Sequence, residues 1–272
     1  MRTIPLAAVA ALAVAIGASA HAADMRPLYK AAPPAPVYNW SGCYVGAGGG
    51  YGKSSEETAL VVVRALPGIP AGTDFVDGLT QGDTGWLATA QVGCDFQFAG
   101  PIGGNWVVGA FVDGDWADIH GRHTGGDVNI GLQQGEEKLS RSWAAGGRLG
   151  WLVNPQLLTY VSGGYTEAQF DAVNYVSALF PAIGAPVGLQ LPGRTQQGWF
   201  LGGGVEYAIG WLPGLFVKTE YRYADYGTVT ETVNCTAAAL CGLVGPTSFA
   251  ERLHPTVQTI TTELVWRFNW RP

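Results

Sequence analysis

Charged residues are scarce in this sequence. Asp, Glu, Lys and Arg make up 13% of its 272 residues, about half of the ~25% that is usual in soluble domains. The few charges sum to −6 and form no basic block, which disfavours nucleic-acid binding because such binding requires clustered Lys and Arg. Long apolar runs are also missing after the first residues, so the body of the chain predicts no membrane-spanning helix.

The one long apolar run stands at the N-terminus. Arg2 supplies a positive charge, residues 4–18 are almost wholly apolar, and Ala20-His21-Ala22 places small residues where signal peptidase cleaves. The run is shorter than the ~20 residues that a bilayer-spanning helix requires. We therefore predict a cleaved export signal followed by a Pro-rich extended lead-in and a single domain, with bounds 1–22, 23–39 and 40–272.

Glycine and aromatic residues are abundant instead. Gly accounts for 40 residues, about twice its usual share of ~7%, and Trp and Tyr contribute 10 and 11. In an exported chain with little charge and no long apolar run, we expect the hydrophobic surface to be formed by every second residue of its strands. That composition is typical of a membrane β-barrel.

Residues 84–98 show the clearest alternation. One face holds Trp86, Ala88, Ala90, Val92, Cys94, Phe96 and Phe98, and the other holds Thr89, Gln91, Gly93, Asp95 and Gln97. A period of two with one apolar and one polar face predicts a strand. The same pattern predicts eight strands over roughly 43–53, 84–98, 106–118, 142–151, 157–170, 196–209, 217–223 and 260–270. In the fifth strand the facing of Tyr160 and Tyr165 stays open.

The predicted connections alternate between two lengths. Three are tight and rich in Pro, Asn or Gly, namely 99–105, 153–156 and 210–214. Four are long, namely 54–83, 119–139, 171–195 and 228–256. This alternation predicts an all-β fold: an eight-stranded antiparallel transmembrane β-barrel with short periplasmic turns and long extracellular loops. The alternative is a soluble β-sandwich, but Trp and Tyr near the strand ends favour the barrel because aromatic rings prefer the headgroup level.

Three segments carry a resemblance to a known family: Trp40–Gly46 with Gly48–Gly52, Lys218–Gly227 and Trp266–Trp270. The sequence resembles the outer-membrane immunogenic proteins of rhizobial and related bacteria, a porin family related to OmpA-like eight-stranded barrels. The resemblance implies a place in the outer membrane among lipid and lipopolysaccharide. It also implies insertion by the barrel-assembly machinery, which reads alternating apolar residues in the last strand: Leu264, Trp266, Phe268 and Trp270. The family has an aromatic residue where Cys43 stands.

Charged residues fall on the predicted inward faces of the strands. They are Asp95, Asp113, Arg148, Glu206, Lys218, Glu220, Arg222, Glu263 and Arg267. We expect them to pair, because an isolated buried charge is very costly. The tight turn after Glu206 predicts an ion pair between Glu206 and Lys218. The cluster is either a narrow solute path or a polar plug, and the small bore of eight strands favours the plug.

The four cysteines suggest two disulfides in an oxidising compartment. Pairing Cys43 with Cys94 sets Val45 opposite Val92 and Tyr51 opposite Trp86, all on the apolar face. We predict a cross-strand bridge there, and the alternative is a pair of lipid-facing thiols. Cys235 and Cys241 lie in one predicted loop, where we expect a local disulfide.

Other candidate sites are weaker. His120 and His123 fall in a predicted loop near Asp118 and Asp127, which we interpret as a solvated polar loop rather than a metal site.

His254 with Glu251 offers the alternative of a lipid-modifying enzyme, but no catalytic site is assembled around them. The sequence therefore predicts no catalytic residue, metal or cofactor and no enzyme. It favours a structural outer-membrane barrel that contributes to envelope integrity, with a narrow channel or a surface interaction protein as alternatives.

Overall fold

The computed structural model describes residues 38–63, 68–100, 103–125, 133–177, 186–235 and 249–269. They form the strands β1 (Gly42–Val62), β2 (Asp74–Ala99), β3 (Asn105–Gly125), β4 (Gln133–Asn154), β5 (Leu157–Phe170), β6 (Val173–Ser177), β7 (Pro186–Leu191), β8 (Arg194–Ala208), β9 (Leu215–Asp225), β10 (Val229–Thr232), β11 (Asn234–Cys235) and β12 (Phe249–Asn269). No helix in these ranges is long and apolar enough to span a bilayer. The predicted export signal and most of the lead-in lie outside the described residues.

Eight long strands pair in a closed antiparallel ring. The order around it is β1, β2, β3, β4, β5, β8, β9 and β12, and β12 returns to β1. The other four strands are short: β6 pairs with β4 and β7, β11 with β7, and β10 with β12. The described residues thus form twelve strands rather than the eight that we predicted, with eight in the ring. Closure leaves no free strand edge within the ring.

The predicted long loops are mostly strand, and those predictions are wrong over the described residues. β1 and β2 extend to Val62 and from Asp74, and β3 and β4 extend to Gly125 and from Gln133. The loop predicted at 171–195 contains β6 and β7, and the last loop contains β10, β11 and the start of β12. The alternation failed there because both faces carry polar residues, as adjacent Glu56 and Glu57 show. A strand without a lipid-facing side loses its hydropathy period but keeps its hydrogen-bond ladder.

Aromatic side chains mark two levels on the outside of the ring. The upper level holds Tyr51, Trp86, Trp116, Trp143, Tyr165 and Trp199, and the lower level holds Phe96, Trp151, Tyr207, Trp266 and Phe268, all exposed. Rings on neighbouring strands touch: Tyr51 and Trp86 have centroids 5.3 Å apart, and Trp143 and Tyr165 5.4 Å. Exposed aliphatic residues fill the band between the levels, including Val45, Val92, Val112, Leu149, Val161 and Leu201.

The distance between these levels is close to the height of about 25 Å that the apolar band of outer-membrane barrels has. Eight residues separate Trp143 from Trp151 on β4 and Trp199 from Tyr207 on β8. At about 3.3 Å per residue and a tilt of about 40°, that length spans roughly 20 Å of membrane. The membrane-spanning segments are therefore 43–51, 86–98, 106–116, 143–151, 157–165, 199–207, 215–223 and 260–268. We call the part beyond the upper level the crown: 52–62, 74–85, 117–125, 133–142, 166–177, 186–198, 224–235 and 249–259.

The two faces of β5 are now distinct. Tyr160 is 5% exposed and points into the lumen, whereas Tyr165 is 38% exposed and joins the upper aromatic level. Large apolar side chains also line the lumen near the short turns, among them Trp40, Tyr44 and Phe216. A second apolar cluster lies in the crown around Tyr175, Leu191 and Leu253.

The register between β1 and β2 is the predicted one. Cys43 stands opposite Cys94, Val45 opposite Val92 and Tyr51 opposite Trp86. The two cysteines form a disulfide on the outer wall. Cys235 is also disulfide-bonded, while Cys241 lies outside the described residues.

We expect the double substitution Cys43→Ser with Cys94→Ser to leave a folded barrel of lower stability. The bridge joins positions 51 residues apart, and losing such a constraint on the unfolded chain costs about 2–4 kcal/mol. The urea midpoint of the refolded protein, measured without reductant, reports this loss. The double variant with added reductant is the control for the second disulfide. Free thiols at Cys43 and Cys94 in the unreduced, denatured wild-type chain would contradict the bridge.

Candidate functional site

Four buried charges meet in the lumen near the short turns, and we call them the inner cluster: Asp95, Arg148, Glu206 and Arg267. Arg148 donates from Nε and Nη2 to both Asp95 oxygens, at 3.0 and 2.5 Å, and from Nη1 to Glu206 at 3.0 Å. Arg267 donates to Asp95 Oδ2 at 2.7 Å and to Glu206 Oε1 at 2.7 and 2.9 Å. Two guanidinium groups thus share two carboxylates, so the inner cluster has no net charge.

Aromatic rings enclose the inner cluster. The guanidinium carbon of Arg267 lies 4.9 Å from the centroids of both the Trp40 and the Tyr44 ring, and that of Arg148 lies 4.7 Å from Tyr44. Gly109, opposite Asp95 on the neighbouring strand, leaves room for the cluster, because a methyl group there would overlap the Asp95 carboxylate. Charge-assisted bonds in a site that excludes water are strong ones. The inner cluster and these rings therefore occupy this level of the lumen.

Five charges form a second level nearer the crown, the middle cluster: Asp113, Lys218, Glu220, Arg222 and Glu263. Lys218 Nζ lies 2.9 Å from Glu263 and 3.4 Å from Glu220. Arg222 binds Asp113 through two hydrogen bonds of 2.8 and 2.9 Å, and it also donates to Glu220 at 3.0 Å. Tyr160 donates to the other Glu220 oxygen at 2.8 Å. The nine predicted lumen charges all face inward, in two separate groups.

The predicted ion pair between Glu206 and Lys218 is wrong, although the two residues do stand opposite each other in β8 and β9. Glu206 binds Arg148 and Arg267 instead, and Lys218 binds Glu263. The spacing of residues around a tight turn shows only which residue stands opposite on the adjacent strand. In a narrow closed barrel, side chains also reach across the lumen, and the planar guanidinium groups of Arg148 and Arg267 bridge Asp95 and Glu206.

The crown holds a third buried charged group, the crown cluster: Glu56, His123, Glu137, Arg194 and Glu251. Our prediction of a solvated polar loop is wrong for His123, which faces inward from β3 and is 1% exposed. His120 and Asp118 are solvated as predicted, with side chains 49% and 63% exposed and 3.5 Å apart, but they lie on β3 rather than in a loop. Asp127 lies outside the described residues. Glu137 lies on β4, the strand next to β3, whereas Glu56 on β1 and Glu251 on β12 approach His123 across the interior of the closed ring.

The imidazole of His123 contacts three carboxylates. Its Nδ1 lies 3.5 Å from Glu56 Oε1 and 3.4 Å from Glu137 Oε2, and its Nε2 lies 2.9 Å from Glu251 Oε2. Arg194 Nη2 lies 2.5 Å from the remaining oxygens, Glu56 Oε2 and Glu137 Oε1. All five side chains are almost fully buried.

Mutual contacts determine the charge states in the crown cluster. Burial opposes a charge on His123, but hydrogen bonds and charge from Glu137 and Glu251 raise its pKa to about 10. Burial also opposes a charge on Glu137, yet His123 and Arg194 lower its pKa to about 2. Burial and the charge of Glu137 raise the pKa of Glu56 to about 8. Glu56 is therefore the carboxyl group that retains a proton at neutral pH.

The alternative of a catalytic pair at the rim is not assembled. Glu251 faces inward and is fully buried, whereas His254 faces outward, 3.2 Å from Asp225 and 3.4 Å from Thr228. In the predicted assembly signal, Leu264, Trp266 and Phe268 alternate on the lipid-facing side of β12. Trp270 lies outside the described residues.

A closed antiparallel ring with an exposed apolar band and a charged, buried lumen defines a β-barrel membrane protein. Comparison with known protein families identifies which type of β-barrel membrane protein this is. Residues 8–268 match the family model for the outer membrane protein beta-barrel domain, and the chain belongs to that family. It is therefore a protein of the bacterial outer membrane.

The chain is similar to named proteins of several bacteria. It is 26% identical over 240 residues to the 31 kDa outer-membrane immunogenic proteins of Brucella melitensis and Brucella suis, covering 84% of this chain and 88% of theirs. Among solved structures, the chain is similar to Neisserial surface protein A, with 12% identity and a TM-score of 0.40, and the match covers 84% of this chain and 98% of that one. It is also similar to OprG from Pseudomonas aeruginosa, with 12% identity and a TM-score of 0.48, and that match covers 85% of this chain and 98% of OprG. The predicted resemblance to outer-membrane immunogenic proteins is confirmed.

We expect Arg148→Ala to lower the free energy of unfolding by about 3–5 kcal/mol, because it leaves two buried carboxylates to share one guanidinium. Arg141→Ala is the matched control, since Arg141 is exposed on the outer face of the same strand. The free energy of unfolding of this control variant should fall by no more than about 0.5 kcal/mol. Urea unfolding of both variants in detergent micelles, followed by tryptophan fluorescence, measures the difference. Equal losses would show that the inner cluster does not stabilise the barrel.

Proposed function

We propose that this protein is a structural outer-membrane barrel with a closed lumen, which contributes to envelope integrity and presents its crown outside the cell. Its relatives are named for outer-membrane immunogenicity, which agrees with an exposed crown. A non-enzymatic role is part of this proposal, since the functional groups of the lumen are bound to one another.

The filled lumen is the observation that carries the proposal. Arg148, Glu206 and Arg267 are each no more than 4% exposed. A solute path at this level would have to separate guanidinium groups from carboxylates in a space with little water, and leaving such charges unpaired is very costly. An eight-stranded ring has an interior just wide enough for side chains to fill. Glu220 and Arg222 repeat the obstruction closer to the crown.

Single-channel recording tests the closed lumen against the narrow channel. We expect no conductance steps from the wild-type barrel in a planar bilayer. We also expect none from the variant with both Glu220→Ala and Arg222→Ala, because the inner cluster below them stays intact. Heat-modifiable migration on a gel serves as the control for folding. Regular conductance steps in the wild type that change with this double substitution would establish the channel instead.

We further propose that the outer wall just above the upper aromatic level contacts lipopolysaccharide. Lys53 and Arg141 are exposed there, at the height of the headgroups. A cation at that height can pair with lipid phosphates. During insertion, Leu264, Trp266 and Phe268 would be read by the barrel-assembly machinery.

We expect Lys53→Gln with Arg141→Gln to reduce the lipopolysaccharide that copurifies with the folded barrel. The matched control is Arg122→Gln, an exposed cation higher in the crown. Phosphate analysis of the purified proteins, normalised to protein, gives the comparison. An unchanged phosphate content in the double variant would rule out this contact.

A further inference from the structure

The two carboxylate contacts of His123 Nδ1 are long for hydrogen bonds, and the same atom also lies 3.3 Å from Gln81 Nε2. The atom faces Glu56 Oε1 at 3.5 Å and Glu137 Oε2 at 3.4 Å, longer than the usual N–H···O distance of about 2.7–3.2 Å. Two ligands of one tetrahedral metal ion, each about 2.0–2.2 Å from it, lie about 3.4 Å apart. One ligand atom from each of Glu56, His123 and Glu137 lies within 4.8 Å of the others. The separations therefore suit a shared cation.

The outer atoms of these three side chains are already held. His123 Nε2 lies 2.9 Å from Glu251 Oε2, and Tyr175 donates to Glu251 Oε1 at 2.6 Å. Arg194 Nη2 donates a hydrogen bond to Glu56 Oε2 and forms an ion pair with Glu137 Oε1. Metal-binding histidines usually donate their other N–H to a carboxylate, and metal-binding carboxylates are themselves hydrogen-bonded. Arg194 therefore supports the two carboxylates from behind and leaves one oxygen of each turned toward Nδ1.

The charge of the crown cluster also suits a divalent cation. Metal binding requires a neutral imidazole and ionised carboxylates, so the ion would displace the protons of His123 and Glu56. Three carboxylates against the guanidinium of Arg194 then leave two negative charges to be balanced. These groups are no more than 6% exposed, so bulk solvent gives them little screening. A divalent ion would leave the cluster neutral.

An unsatisfied oxygen lies beside the cluster. Asp83 is 7% exposed on the inward face of β2, and its Oδ1 has no hydrogen-bond partner among the residues that the structure describes. Asp83 packs against Gly121, two residues from His123 on the same face of β3, where a methyl group would overlap its carboxylate. A water molecule on a metal ion would supply the missing donor.

We propose that Glu56, His123 and Glu137 form a binding site for a divalent transition-metal ion in the crown. One nitrogen and two carboxylate oxygens are ligands that Zn²⁺ accepts, with water as the fourth. The ion would join β1, β3 and β4 at one point, beyond the membrane-spanning segments. It would stabilise the crown without entering the closed lumen.

Zn²⁺ titration of the full-length refolded barrel, stripped with a chelator, tests the site by calorimetry. We expect saturation at one ion per chain. Glu56→Gln and Glu137→Gln should each weaken Zn²⁺ binding at least about tenfold, and Glu251→Gln should weaken it by about 10- to 100-fold by releasing Nε2. Zn²⁺ should also raise the temperature of the heat-modifiable gel shift in the wild type, and these variants should lose that increase.

The same strands provide matched controls. On each of the three strands, an exposed residue of the same type lies close to the site residue. These residues are Glu57 on β1, His120 on β3 and Glu136 on β4. Glu57→Gln, His120→Gln and Glu136→Gln should leave the affinity for Zn²⁺ unchanged. Affinity that survives Glu56→Gln and Glu137→Gln but disappears with His120→Gln would mean an adventitious surface ion only, and would overturn the proposal.

X-ray absorption on the Zn²⁺-loaded wild type keeps the proposal testable if the glutamate variants fail to fold. The expected first shell has nitrogen and oxygen at about 2.0–2.2 Å with the outer scattering of one imidazole. A shell without imidazole scattering, or a folded wild type that binds no Zn²⁺, would overturn the site. Tyr175→Phe offers a mild variant that should weaken binding while the gel shift is retained.

Discussion

The pairing of β1 with β12 is the constraint on which the rest of the structure depends. It runs without interruption from Gly42 opposite Asn269 to Val62 opposite Phe249, so it closes both the membrane-spanning ring and the crown. In lipid, an unpaired strand edge would leave backbone groups without partners at several kcal/mol each. Gly48 and Gly50 allow the close approach, because a methyl group at either would overlap the facing carbonyls of Thr262 and Ile260.

The charges of the interior are a consequence of that closure. Asp95, Glu206 and Arg267 lie on β2, β8 and β12, far apart in the chain, and they become neighbours only when the ring is complete. The same holds in the crown, where Glu56 and Glu251 on β1 and β12 reach His123 on β3. Closure therefore produces two different interiors: a filled lumen within the membrane, and a buried group of potential ligands outside it. The first supports a closed structural barrel, and the second supports a metal site.

Much of the membrane-spanning part could be predicted from the sequence. Lipid on one side and a packed lumen on the other impose a period of two, which is why the register of Cys43 with Cys94 and the inward facing of Arg148 followed from spacing alone. The crown lacks that contrast, since water replaces lipid on its outer face. For that reason Glu56 and His123 were assigned to loops, and the site they form was missed. The available signal was the run of three β-branched residues from Val61 to Val63.

Except in β5, where the facing of Tyr160 and Tyr165 stayed open, the sequence by itself determined which residues face lipid. It also determined where the tight turns lie and which long strands are neighbours, because these depend on local alternation and chain connectivity. Only the tertiary structure decided the partner of each buried charge. Glu206 stands opposite Lys218 yet binds Arg148 and Arg267, because a side chain inside a narrow barrel can contact residues of several strands. The same physical reason places His123 beside Glu56 and Glu251: contacts across the interior leave no trace in the spacing of any single strand.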